Sequence, residues 1–223
     1  MVDLGRPKKY CICMYGYIKG NKVATTVYLG MCGFVALSTV AFAISGEWMS
    51  AFSSLCIFFM MLIPSFLKDK YRVHLPIELD ITIVLFIFLS LFLGSLQGYY
   101  EKFAHWDKIL HFKSGLLLAF LGFVVVYLMN EKRSGKFVLS PGFLALFSAC
   151  FSMALSVIWE IYEYILDTFF GYNMQRDGIN DTMIDLILNT AGAIIIAIGT
   201  YIWMKRREKI PFAPKILGKY TLE

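Results

Sequence analysis

Apolar residues gather in long blocks along this chain, separated by short segments that are polar and mostly basic. A helix needs roughly 20 apolar residues to cross a hydrocarbon core about 30 Å thick. Six blocks meet that need: residues 25–44, 48–67, 77–96, 109–129, 142–159 and 185–204. The fifth runs on into an acidic stretch, IWEIYEYILD, at residues 158–167. None shows the two-residue alternation of a barrel strand. The pattern therefore predicts an all-α fold, a polytopic six-helix transmembrane bundle, with consecutive helices antiparallel because their connections are short. No segment reads as a soluble domain, a linker or an internal repeat. The whole of residues 1–223 reads as a single integral membrane domain with tails at about 1–24 and 205–223.

Composition agrees with the blocks. The chain is 58% hydrophobic and only 17% charged, with a mean hydropathy of +0.65, whereas a soluble domain carries about 25% charged residues. Basic residues also give an orientation, because Lys and Arg collect on the cytoplasmic side. Arg6, Lys8, Lys9, Lys19 and Lys22 precede the first span. Lys68, Lys70 and Arg72 follow the second, Lys132, Arg133 and Lys136 follow the fourth, and Lys205, Arg206, Arg207, Lys209, Lys215 and Lys219 close the chain. These 17 face one side, against Lys102, Lys108 and Arg176 on the other. Both termini are thus expected in the cytoplasm, with the protein in the cell (cytoplasmic) membrane. Basic loops beside anionic headgroups account for the net charge of +5 without a nucleic-acid partner; membrane lipid is the expected partner.

Two smaller signals carry less. The Ala41–Phe42–Ala43 run imitates a signal-peptidase site, but the apolar block before it exceeds a usual signal core, so an uncleaved first helix is expected. Of five cysteines, three lie in spans and two, Cys11 and Cys13, in the N-terminal tail, which argues against a disulfide framework. Cys11-x-Cys13 lacks partner ligands for a metal.

Chemistry is expected where ionisable groups enter the spans. At about 1.5 Å per residue, Glu160, Asp185 and His111 each lie 27–30 Å, roughly, from the cytoplasmic ends of their helices, near the outer interface. Phase agrees with depth. Glu160 and Glu163 share a face to which Asp167 returns, Asp181, Asp185 and Asn189 recur every four residues, and Asp107 and His111 are four apart. Three polar stripes can therefore face one another inside the bundle, as stripes in spans usually do.

Each stripe also has a purely structural reading. Asp107 and Asp181 suit helix N-termini, Asn189 suits interhelical hydrogen bonding, and a lone histidine is more often a satisfied polar residue than a ligand. Glu160 and Glu163 are expected at a helix C-terminus, where the dipole repels negative charge, so capping does not explain them. Two carboxylates on one face disfavour each other's ionisation unless a cation lies between them. Lys108, Lys113 and Arg176 are candidate protein cations. Carboxylates with His111 or His105 suit Mg, Mn, Ca or Zn. Without a metal, His111 with Glu160 or Glu163 can run general acid–base chemistry. No serine-nucleophile elbow, dinucleotide loop, phosphate loop or HExxH helix is present. Below Asn189 the spans read as dry.

WDKILHFKSG (106–115), WEIYEY (159–164) and NMQRDGINDTMIDLILNTAGA (173–193) resemble the YjdF-type inner-membrane proteins of bacteria. Those in turn distantly resemble VanZ-like proteins, with a D-K-x-x-H-F helix start and a D-x-x-x-N-x-x-G helix. The resemblance covers about 106–193 and falls on Asp107, His111, Glu160, Glu163, Asp181 and Asp185. It implies no particular reaction; the VanZ-like association with glycopeptide resistance points only to the outer surface of the envelope. Arg176 stands before Asp177 where many relatives carry a small residue, which weakens a role for Asp177.

Three functions remain open from the sequence. In the first, an envelope lipid is bound or processed at the outer leaflet, with or without a divalent cation. Glu160, Glu163, Asp181, Asp185 and His111 would hold the ion or position a water, and Lys113 or Arg176 would hold a phosphate. In the second, the same carboxylates serve a proton- or cation-coupled permease, against which the dry inner half counts. In the third, they are ion pairs of a structural scaffold.

Overall fold

A computed structural model describes residues 22–71, 77–132, 139–175 and 178–206, and among them every regular element is helical. Expectations for residues 1–21 and 207–223 of the tails, Cys11 and Cys13 among them, and for Arg176 and Asp177 lie outside the described residues. Six of the helices are long and apolar enough to cross a membrane, so the protein is an all-α, six-span membrane protein. The described residues fall into two compact units, one within Met1–Gly98 and one within Tyr99–Lys209.

The first unit holds α1 (Lys22–Ile44), α2 (Trp48–Tyr71) and α3 (Ile77–Ile87). A tight turn at Gly46, with φ of 78°, joins α1 to α2; glycine reaches that backbone region without the cost of a Cβ. The α3 helix continues as a π-helical stretch, Phe88–Leu96, ending with Gln97 N–H donating five residues back to Phe92. Tyr28, Cys32, Val35, Ile57, Met61, Val84 and Phe92 form the apolar centre of this unit. Phe34 meets Phe88 and Phe92 edge-on.

The second unit begins with a single turn, α4 (Tyr99–Lys102), followed by α5 (Trp106–Lys132), α6 (Pro141–Phe170) and α7 (Ile179–Lys205). Ser140 caps α6, its hydroxyl accepting from Phe143 N at 3.2 Å. Pro141 opens the helix where its missing N–H costs nothing. The α6 helix ends on Gly171 in the left-handed region, φ 71°. The contacts fix the directions. His111, Gly115 and Phe123 of α5 meet Asp185, Asn189 and Trp203 of α7 in that order, so α5 and α7 run parallel. Glu160 and Ser152 of α6 meet His111 and Gly115 in reverse order, so α6 is antiparallel to both.

Two glycines set the α5–α7 spacing. A Cβ on Gly115 would run into the backbone carbonyl of Asn189, and one on Gly192 into that of Phe112. Such backbone approach is the usual service of small residues at helix crossings in lipid. Outward faces of this unit carry Phe143, Leu146, Ile158, Ile187 and Ile195, all exposed, as contact with lipid tails requires.

Three helix boundaries differ from the sequence pattern. The α5 and α7 helices begin three and six residues before their apolar blocks, because Trp106–Ile109 and Ile179–Asp185 form ordinary helical turns despite their polar content. The α6 helix runs to Phe170. Glu160 and Glu163 are therefore two to three turns from its C-terminus, beyond the reach of a dipole that acts within the last turn. Their placement needs another explanation.

Candidate metal centre

The close α5–α7 crossing positions the cluster. Asn189 lies beside Gly115, so Asp185, one turn above Asn189, lands beside His111, one turn above Gly115. His111 Nε2 is 4.0 Å from Asp185 Oδ2 and 3.4 Å from Asp107 Oδ1. His111 Nδ1 faces the other way, 3.8 Å from Glu160 Oε1 on α6. One imidazole is thus set among three carboxylates from three helices.

A hydrogen-bonded floor lies beneath it. Ser152 Oγ on α6 is shared between Asn189 Oδ1 and the Gly115 carbonyl, each at 3.2 Å. Asn189 Nδ2 donates to Ser114 Oγ at 3.0 Å, and Ser114 Oγ donates to the His111 carbonyl at 2.7 Å. Asn189 is only 1% exposed. It ties α7 to both neighbours, and its polar groups are used, as buried amides require.

The carboxylates are buried but under-used. Glu160 is 4% and Asp185 1% exposed. Neither oxygen of Glu160 makes a hydrogen bond, nor does Oδ1 of Asp185. The Thr182 hydroxyl adjoins Glu160 and accepts from Gln175 Nε2 at 2.8 Å. One imidazole cannot neutralise two buried carboxylates and the half-buried Asp107, and an uncompensated buried charge is costly. Lys113 is exposed, and neither it nor Lys108 makes an ion pair among the described residues. The orphaned oxygens call for a further positive group.

A divalent cation fits. One donor atom each from Asp107, His111 and Asp185 can be chosen so that all lie within 4.8 Å of one another. Bonds of about 2.0–2.2 Å to a Mg, Mn or Zn ion would bring such donors to roughly 3 Å separations. Closing 3.4 Å and 4.0 Å to that value is within side-chain motion. Glu160 then stands behind the imidazole on its other nitrogen. At 3.8 Å it is beyond hydrogen-bond reach, on the side of the ring where an outer carboxylate stands in carboxylate–histidine–metal sites.

The remaining sequence candidates take other positions. Glu163, one turn beyond Glu160 and also buried, accepts from Trp159 Nε1 at 2.8 Å. Asp181 is buried in the first turn of α7. Asp167 is half-buried and turned to its own loop, accepting from Met174 N at 2.7 Å and Gln175 N at 2.8 Å; this explains the residue structurally. His105 is exposed.

Sequence reasoning missed the α6 serines. Ser148, Ser152 and Ser156 are buried on α6, four residues apart up to Glu160, and Ser148 lies one turn below the level of Asn189. Their four-residue recurrence up to Glu160 was the available signal.

The chain matches the family described as "Predicted membrane protein (DUF2238)" over residues 25–206, a range that spans both units and every residue of the cluster. A Thermotoga maritima protein described as an uncharacterized protein is 31% identical over 128 residues, 54% of this chain and 64% of the relative. The chain therefore spans just under two thirds of that relative's length. No solved structure matches. With the greater part of its length matched, this chain is a member of the DUF2238 family of membrane proteins.

Proposed function

We propose that the α5–α6–α7 unit is a divalent-metal centre at the outer face of the cytoplasmic membrane, acting on the headgroup of an envelope lipid. The observation that carries the reading is the placement of His111, with two carboxylates at one nitrogen and the unsatisfied Glu160 at the other. Asp107, His111 and Asp185 would hold the ion, and Glu160 would orient the imidazole. Glu163, kept in place by the Trp159 indole, would hold or accept a proton. Asp181 would add negative charge one turn above Asp185. Arg176, on the outer side by the distribution of basic residues, and Lys113, exposed on α5, would meet a phosphate.

A bound divalent ion would supply polarisation of a phosphoryl or carbonyl oxygen, or a water of lowered pKa. The residues themselves supply orientation and a protein-lined site, since His111, Glu160, Glu163, Asp181 and Asp185 are buried. Outer-surface placement draws on the basic-residue asymmetry and on the resemblance to YjdF-type and VanZ-like proteins. Purified protein supplied with Mg, Mn or Zn and mixed with anionic phospholipid vesicles tests the reading by mass spectrometry of the lipids. Metal-dependent lipid retention or a changed headgroup, reduced at least tenfold in Glu163→Gln, is expected. Lipid left unbound and unchanged with every metal would refute it.

A proton- or cation-coupled permease is the second reading, favoured by the buried serines that continue the polar face of α6.

A further inference from the structure

Serine hydroxyls inside helices ordinarily satisfy themselves on the carbonyl one turn back. Ser38, Thr39, Ser90 and Thr200 all do so in this protein, at 2.8–2.9 Å. Ser148 and Ser156 do not. They are 0% and 4% exposed, and neither hydroxyl has a hydrogen-bond partner. Two buried orphans two turns apart on one helix, with two orphaned oxygens on Glu160 a turn further on, are unusual in a protein interior.

Their spacing suggests what joins them. Ser148, Ser152, Ser156 and Glu160 are four residues apart, so successive side chains stand about 6 Å apart along the axis. That is about twice the 2.8 Å length of an O–H···O hydrogen bond, the separation that one water molecule bridges. Ser152 already donates to Asn189 and Gly115, leaving its lone pairs for such a molecule. Small side chains are buried in the same unit, among them Ala145, Ala149, Ala119 and Ala193. Internal waters need two or more polar partners, and each gap in this row has one at either end.

We propose that a file of bound water runs along α6 from Glu160 past Ser156 and Ser152 to Ser148, hydrating the carboxylate cluster from within the helix unit. It extends the polar site about 18 Å into the membrane. The ligand is water alone, and the file does not depend on a metal being bound. It gives the buried acidic groups a hydrogen-bonded connection toward the cytoplasmic half that the outer interface does not provide.

Thiol labelling in lipid nanodiscs tests this, because a thiolate reacts and a thiolate needs water. Cys11, Cys13, Cys32, Cys56 and Cys150 are first replaced by Ala or Ser. Ser148→Cys and Ser156→Cys are then compared with the buried control Val35→Cys, from the apolar centre of the first unit, and the lipid-facing control Leu146→Cys, using a small water-soluble methanethiosulfonate. Labelling at 148 and 156 at least tenfold faster than at both controls is the expected result. Rates equal to those at 35 would overturn the file. Thermal unfolding of Ser148→Ala and Ser156→Ala provides a second reading that needs no thiol. A lowered Tm is expected where a hydroxyl holds water, whereas an unchanged or raised Tm would mean that the hydroxyl was dry and the proposal wrong.

Discussion

At the scale of single residues, the cluster depends on two that carry no chemistry. Gly115 and Gly192 let the α5 and α7 backbones touch, and that contact sets the His111–Asp185 distance one turn above. Gly115→Ala forces the helices apart against the Asn189 carbonyl. It should cost about 1–3 kcal/mol, as overpacking does, and reduce bound metal together with Tm. Asn189→Ala leaves Ser152 and Ser114 without their amide partner and should lower stability by about 1–3 kcal/mol, read from the same melting curve. Depth and phase alone brought out His111, Asp107, Glu160, Glu163, Asp181, Asp185 and Asn189, because an ionisable or amide side chain in an apolar block stands out by its cost. Serine hides there. It is small, uncharged and common at helix contacts, so the Ser148–Ser156 row reads as packing until its hydroxyls are found without partners. Lys113 presents the reverse case: its position in the sequence suggests a counter-charge, but its helical phase turns it outward.

At the scale of elements, α6 shows where an apolar block misleads. Its hydropathy falls at Trp159, yet the helix runs on to Phe170 because Gly171, and not the acidic residues, ends it. Asp167 then belongs to the exit of the helix rather than to the cluster. Its carboxylate takes the Met174 and Gln175 amides, and Gln175 in turn reaches Thr182 and the Glu160 carbonyl. Asp167→Ala should release this connection. Faster hydrogen exchange at the Met174 and Gln175 amides, with metal content unchanged, is expected; loss of metal would make Asp167 part of the site. Such a distinction could not be drawn from sequence, where Asp167 shares the helical phase of Glu160. At the other end of α6, Ser140→Ala removes the cap and should cost about 0.5–2 kcal/mol.

At the scale of the whole molecule, six spans were legible because lipid leaves the backbone few alternatives, and each block had the length a bilayer demands. Their division into two compact units was not, since hydropathy records which residues avoid water and not which helices touch. Orientation rests on basic residues at the ends and in the loops. It predicts that Asn173→Cys in the α6–α7 connection, in a cysteine-free background, is labelled in intact cells by a thiol reagent that does not cross membranes. Failure to label until the cells are opened would invert the topology and place the cluster on the cytoplasmic side.

The most direct test of the central claim is the metal content of the purified, folded protein by mass spectrometry, for wild type, His111→Ala and Asp185→Ala. Near-stoichiometric divalent metal in wild type, lost in both variants while they remain folded, is the predicted result. A folded wild type that holds no metal after incubation with Mg, Mn and Zn would contradict it, leaving His111 and its three carboxylates as an internal ion network.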